Sequence, residues 1–342
     1  MITFLLFLCI FHPTYCYPDD VSICVVRKSN NLSDMVEWLD YHRNIGVKKV
    51  YLFDDKNSVP IHSSIADYLD PGFVHYETVV GDGSDKTFAM TPQGLAYKAC
   101  IEQFCATNKW IAFLDSDEFI QLSSNFPNVS MFVNQYTDAA VIYLNWVVLS
   151  SGNLTQRPEG GVLSNYINCL PKTHQTSFAV KPIGNCNYIT GAITPHQLTY
   201  NASRLGAINS NGDSALVSEP YILNPQHGNA SIYYYMYKSR DEAMLAIREG
   251  SRSDMLKSLS YYNEIELAAK EECLALKSFA ARIFNESSKS ISPLSYNQSM
   301  LSRWHELTAS SFPNPFKISD NPARSICPGN LPSNSHDIKF PQ

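Results

Sequence analysis

The chain has no long run of Lys and Arg, no Cys-x-x-Cys pair and, past its first residues, no apolar run long enough to cross a bilayer. Each absence narrows the field. Its 26 Lys and Arg stand against 32 Asp and Glu, a formal charge of −6, so nucleic acid is not an expected partner. Cysteine and histidine never fall at zinc-ligand spacing, which argues against a structural zinc site. Charged residues are few, at 17 %, but 44 % of the 342 residues are apolar, with 20 Tyr and 17 Phe. Such a chain can bury a sizeable core, as one large α/β domain or two smaller ones.

The stretch from Ile2 to Phe11 is too short to span a membrane. It reads as a signal-peptide core with a cut near Tyr17, although the usual early Lys or Arg is missing. A buried N-terminal strand is the competing reading. Export gains support from seven N-x-S/T acceptors, at Asn31, Asn128, Asn153, Asn201, Asn229, Asn285 and Asn297. Together these imply a lumenal or extracellular protein, either cleaved or held to a membrane by residues 1–17. Cleavage leaves Cys24, Cys100, Cys105, Cys169, Cys186, Cys273 and Cys327. The number is odd, so at least one stays free or pairs between chains, and sequence does not give the connectivity.

After the leader, VSICVVRK (21–28) is a β-branched run suited to a strand buried on both faces. Met35, Trp38, Leu39, His42 and Ile45 follow at helical spacing, with Asn31 or Ser33 as cap and Gly46 as stop. Strands are expected at 48–55, 73–80 and from Trp110, with helices at IADYLD and from Gln93 to Thr107. This alternation predicts an α/β fold, a mostly parallel sheet flanked by helices, whose ligands bind beyond the carboxyl ends of the strands. Later come a strand over 139–149, a Gly/Asn-rich loop, short extended pieces around FAVKPIG, YITGAITPHQLTY and YILNPQ, and a helical stretch from Ser239 to about Glu286. The domain is drawn at 18–290, and residues 291–342, rich in Ser, Pro and Asn, as an irregular extension.

Two acid clusters fall at expected strand ends, Asp54-Asp55 and Asp115-Ser116-Asp117. If the strand continues through them, Asp115 and Asp117 share a side and repel unless a cation lies between. Hard oxygen ligands suit Mg²⁺ or Mn²⁺, which would offset charge growing on a diphosphate leaving group. Asp is also a common turn and cap residue, so a solvated turn competes with a metal site. Position in the sheet pattern leaves the two readings balanced.

The blocks ICVVRK, MVEWLDYHRNIGVKKVYLFDDKNS and AYKACIEQFCATNKWIAFLDSDEFI together resemble glycosyltransferase family 92. Trp146 with its SSG loop, Pro158-Glu159-Gly160, FAVKP (178–182) and YKSRDEAMLAIREG (237–250) fit that family's later blocks, so the resemblance spans roughly residues 21–255. It implies a GT-A (Rossmann-like) fold and transfer of a sugar, usually galactose from UDP-galactose, with inversion onto a glycan or glycoprotein hydroxyl. By it, Asp115 and Asp117 hold Mn²⁺ (or Mg²⁺) against the UDP diphosphate, while Lys28, Asp54 or Asp55 and Asp115 line the nucleotide pocket. An inverting transfer also needs a base for the acceptor hydroxyl. Asp213, Glu219 and Glu159 are the candidates in loops after the acidic strand, with Asp213 and Glu219 preferred, although most loop acids are only solvated.

Two departures stand out. Lys28-Ser29-Asn30 replaces the family's Lys-Asn-Glu, and Tyr234-Tyr235 replaces a His-Tyr whose histidine could ligate metal or touch phosphate. His196 and His227 are substitutes for that role, against the ordinary reading of packed or surface histidines. Trp146 is either a stacking platform for an acceptor sugar or a core residue. The leading expectation is a metal-assisted galactosyltransferase. An inactive relative that binds nucleotide-sugar or glycan, and a structural glycoprotein reusing the scaffold, are the alternatives.

Overall fold

The structure is a computed structural model describing residues 20–27, 32–55, 61–69, 72–81, 87–249 and 258–281. The expected leader at 1–17, Lys28, Cys327, the acceptors Asn31, Asn285 and Asn297, and the extension 291–342 lie outside them. Among the described residues nine strands make one sheet: β1 (Val21–Arg27), β2 (Lys49–Asp55), β3 (Val74–Val79), β4 (Trp110–Asp115), β5 (Glu118–Leu122), β6 (Ala139–Val148), β7 (Val180–Asn185), β8 (Gly206–Asn209) and β9 (Ala230–Tyr234). Their order is β3-β2-β1-β4-β7-β6-β9-β5, with β8 beside the first half of β6.

From β3 to β4 the pairing is parallel throughout. β7 then runs antiparallel between β4 and β6, and β9 lies parallel to the end of β6 but antiparallel to β5. The expected mostly parallel α/β sheet is therefore present. Val21, Ile23, Val25 and Leu52 face one apolar cluster, and Cys24, Val26, Phe53 and Phe113 the other. Both faces of the central strands are dry, which is why they read as unbroken apolar runs.

The first helix, Leu32–Asn44, starts one residue before Ser33, which is therefore not its cap. It ends as expected at Gly46, whose φ of +88° a side chain would strain. Its buried face does more than pack. Trp38 Nε1 donates to the Glu118 carbonyl (2.7 Å), and the Tyr41 hydroxyl donates to that of Ile120 (2.6 Å). His42 Nδ1 donates to the Trp38 carbonyl at 2.9 Å, leaving Nε2 to face the Ile120 N–H at 3.5 Å. Burial lowers the His42 imidazole to about 3, so it stays neutral. Thus the E-W-x-x-Y-H block ties down the outer backbone of β5, the last strand of the sheet.

Three expectations are corrected. The strand from Trp110 is two strands, because Ser116 and Asp117 form a turn between β4 and β5. Period-two alternation therefore does not relate Asp115 to Asp117. The helix from Gln93 is regular over Pro92–Ala99 and then widens into a π turn over Cys100–Phe104. The helical stretch after Ser239 is broken: Arg240–Glu249 and Leu259–Ala268 are separate helices, and Glu271–Glu272 then pairs with Asn168–Cys169. Cys24–Cys100, Cys105–Cys186 and Cys169–Cys273 are disulfides, pairing six of the nine cysteines. Among the described residues no helix is long and apolar enough to cross a membrane.

Candidate active site

Asp115 ends β4 and is held from two sides. Gln93, on the helix Pro92–Ala99, donates its amide to Oδ1 at 2.6 Å, and Lys181 on β7 reaches Oδ2 at 2.9 Å. The β4–β7 register explains the second contact: Ala112 lies opposite Ile183, so Lys181 comes level with the end of β4. Glu118, the first residue of β5, folds back so that Oε2 accepts the Asp115 N–H (2.8 Å) and lies 3.4 Å from Lys181 Nζ. Lys181 and Glu118 have fully buried side chains, whereas Asp115 keeps 26 % of its side chain exposed. Burial raises the Glu118 carboxyl to about 8 against the opposing pull of Lys181. Burial alone would discharge Lys181, but Asp115 and then Glu118 hold its ammonium firmly charged.

Asp117 sits half-buried in the turn, its carbonyl accepting the Tyr235 N–H at 3.0 Å. Lys238 stands near it: burial would lower that ammonium, but Asp34 and then Asp117 keep it above its ordinary value. Lys238 Nζ itself binds Asp34 at 2.8 Å, and Asp34 also takes both terminal nitrogens of Arg157, at 2.6 and 2.9 Å. The SSG loop carrying Arg157 is thereby fastened behind the tip.

Tyr234 lies opposite Glu118 in the β9–β5 ladder, its ring 4.6 Å from that of Trp146. Burial, then Asp117, Asp115 and Glu118, keep its hydroxyl protonated far above the ordinary phenol value. Trp146 is only 6 % exposed, so it forms a wall and not an open stacking platform. His196 packs edge-on against it at 5.4 Å while its Nδ1 pairs with the Val180 carbonyl. His227 Nε2 is bound to the Trp146 carbonyl at 3.1 Å, and burial favours its neutral form.

The other expected residues are dispersed. Asp54 is buried, its oxygens taken by Arg27 Nη1 (2.9 Å) and the Tyr76 hydroxyl (2.7 Å), while Asp55 is half-exposed at the end of β2. Asp213 is exposed in a turn bonded to Asn209, and exposed Glu159 lends its carbonyl to Asn165. Neither hydrogen bond leads to the Asp115 cluster. Glu219 is exposed too, but the carbonyl of the next residue, Pro220, accepts the Val180 N–H, one residue from Lys181. The sequence reading missed Lys181 and Gln93. A lysine in the otherwise apolar FAVKPIG was a usable signal, because a buried ammonium requires a carboxylate partner.

The profile of Glycosyltransferase family 92 matches residues 19–192, more than half of the chain. The chain belongs to glycosyltransferase family 92. It is accordingly a glycosyltransferase by family, and its sheet is the mostly parallel α/β sheet flanked by helices that the resemblance led one to expect. No curated protein sequence matches it. Among solved structures it is similar to Staphylococcus aureus TarS residues 1–349, at 12 % identity and TM-score 0.31, covering 85 % of this chain and 80 % of that one. The same fragment in complex with UDP-GlcNAc gives 12 % and 0.32 over the same shares. A putative glucose-1-phosphate thymidylyltransferase from Bacillus anthracis, in complex with a sucrose, gives 12 % and 0.28 over 49 % of this chain and 71 % of that one.

The family implies a divalent ion, and the donor set can be tested for it. Among the described residues no group of three or more His, Cys, Asp and Glu could hold a metal. Mg²⁺ and Mn²⁺, however, bind through one or two carboxylates completed by substrate phosphates. An ionised carboxylate offers about four acceptor positions, and metal-ligating carboxylates are themselves hydrogen-bonded. Asp115, fixed by Gln93 and Lys181, and Asp117 beside it fit an ion whose other ligands come from a phosphate-bearing substrate. They do not form a closed protein cage.

Proposed function

We propose that this family 92 member transfers a hexose from a nucleoside-diphosphate sugar to a glycan or glycoprotein hydroxyl, at the joined tips of β4, β5 and β9. The observation carrying this is a carboxylate, Asp115, held by Gln93 and Lys181 at the carboxyl end of a parallel strand. That is where α/β sheets bind nucleotides. The donor is UDP-galactose and the transfer inverting, as the resemblance implies. Asp115 and Asp117 would hold Mn²⁺ or Mg²⁺, which when bound offsets the charge of departing UDP. Lys238, near Asp117 and anchored by Asp34, adds a fixed positive charge beside the same tip.

Asp55, half-exposed at the end of β2, is better placed for a ribose hydroxyl than Asp54, whose oxygens are engaged by Arg27 and Tyr76. Lys28 follows β1 directly in the sequence and is assigned to the nucleotide by the resemblance alone. Among Asp213, Glu219 and Glu159, Glu219 is the preferred base, because its neighbour Pro220 is bonded next to Lys181 on β7. Three disulfides support work in an oxidising lumen, where residues 1–17 would act as a leader or short anchor.

One observation favours a second reading, a relative that binds the donor without turnover. Tyr234 fills the family's histidine position as a firmly protonated phenol facing three carboxylates, and in that state it does not ligate metal. Incubation of the secreted chain with UDP-[³H]galactose, Mn²⁺ and mixed glycans separates the two. Labelled glycan and released UDP, both lost in Asp117→Asn, establish transfer. UDP binding without release in the folded protein establishes the inactive relative instead.

A further inference from the structure

The loop that follows β6 takes its shape from a helix far along the chain. Val148 is level with Tyr234 in the β6–β9 ladder, and the Leu149 N–H donates to the Tyr234 carbonyl, so Ser150 leaves the sheet at the tip. Gly152 and Asn153 are consecutive left-handed residues, at φ +62° and +61°. For a residue with a side chain, such backbone persists only where its surroundings fix it. Here the fixing group is Glu266, on the helix Leu259–Ala268. Its Oε1 accepts the Ser151 N–H at 2.7 Å and its Oε2 the Asn153 N–H at 3.0 Å. One turn earlier on that helix, the Tyr262 hydroxyl meets Ser151 Oγ at 3.0 Å. Glu266 and Tyr262 are only 8 % and 5 % exposed, so water competes weakly for these bonds.

The helix is part of a strap that is itself tied down. Tyr261 pairs its hydroxyl with Thr176 Oγ1 at 3.0 Å, and Cys273, bonded to Cys169, donates its N–H to the Ile167 carbonyl at 2.8 Å. Glu266 and Tyr262 both lie beyond residues 19–192, the stretch that the family profile matches.

We propose that Glu266 and Tyr262 are positioning residues for the acceptor: from the strap they hold loop 150–153 in the shape that receives the glycan, and they leave the donor's affinity alone. This rests on the transfer reading above. In that reading the nucleotide lies over β1 and β2, on one side of β4, with β7, β6 and β9 on the other. An inverting transfer brings the incoming oxygen to the face of the sugar opposite the departing group. The acceptor therefore approaches over β6 and β9, where loop 150–153 stands.

The test gives the secreted full chain UDP-[³H]galactose, Mn²⁺ and a pool of released N-glycans at rising concentration, for the parent and Glu266→Gln. Losing one hydrogen bond to a charged group is worth about tenfold, so the half-saturating glycan concentration should rise by about that factor. The rate at saturating glycan and the calorimetric affinity for UDP should not change. Tyr262→Phe, which loses one hydroxyl and no charge, should shift the glycan requirement the same way by a smaller factor. A helix that only supported the fold would not separate glycan from donor in this manner.

A glycan requirement equal to the parent's in both variants overturns the inference and leaves the transfer reading standing. UDP affinity that falls in step with the glycan's overturns it as well. No transfer by the parent removes the transfer reading, and the inference with it. Should Glu266→Gln fail to fold by circular dichroism, Tyr262→Phe decides by the same split between glycan and donor.

Discussion

Replacing Arg157 by Met should unfasten the SSG loop from the helix behind the tip. The guanidinium gives Nη1 and Nη2 to Asp34 at 2.6 and 2.9 Å, and Nε and Nη2 to one oxygen of Glu242 at 3.1 and 2.6 Å. Only 15 % of the Arg157 side chain and 6 % of that of Asp34 are exposed, so solvent screens this pair weakly. Burial would raise the Asp34 carboxyl, yet Lys238 and Arg157 together hold it below its ordinary value. Removing one partner of a buried pair costs about 3–5 kcal/mol. Asp34 keeps Lys238 and Glu242 is partly wet, so the lower end, about 3 kcal/mol, is expected. For a domain of this size that corresponds to a melting point lower by roughly 6–12 °C. Urea denaturation of the parent, Arg157→Met, Asp34→Asn and the double variant measures the coupling, which should reach about 1–3 kcal/mol. Arg157→Lys should recover little, because an ammonium cannot grip two carboxylates as a fork does. A single-variant cost under about 1 kcal/mol, or simple additivity in the cycle, would refute the clamp.

Glu37 accepts the backbone N–H groups of Val162 and Leu163, and burial lifts its carboxyl from 4.5 to about 7. With the folded value raised, its contribution is complete below pH 4.5 and lost as pH climbs through about 7. Stability should fall by roughly 3 kcal/mol over that window, and Glu37→Gln should flatten the slope. Equal slopes in parent and variant would contradict this. In secretory expression, glycan should be found at the exposed Asn153 and Asn201. It should be scarce at Asn128, which caps the helix Val129–Val133, and at Asn229, which donates to Tyr136; peptide mapping after glycosidase treatment reads each site. The Cys169–Cys273 bond joins residues 104 apart, and replacing both by Ala should cost about 2–5 kcal/mol in urea titrations. Non-reducing peptide maps check all three pairings.

The strands β1, β2 and β4 were legible because they are buried on both faces, and burial writes itself as runs of Val, Ile, Leu and Phe. The helix Leu32–Asn44 was legible for a related reason: one face must be apolar. What its polar atoms bind was not legible, since Trp38, Tyr41 and His42 meet a strand some 80 positions away. The short strands β8 and β9 escaped notice because four or five residues paired at long range carry no period of their own. At the tip, the acids were visible as a local triplet. Their partners were not, because Gln93 and Lys181 arrive from opposite sides in sequence. The break at Ser116–Asp117 was hidden by apolar runs on both sides that read as one strand.

Among the described residues β5, β3 and β8 each have a single strand neighbour, and the rim of β5 is occupied by side chains of the helix Leu32–Asn44. An outer strand with bare amides and carbonyls is a template for another chain. With Trp38, Tyr41 and His42 on its backbone, β5 is withdrawn from such pairing. A second copy or a borrowed peptide adding to this sheet at β5 would first have to displace those three side chains from the strand's backbone.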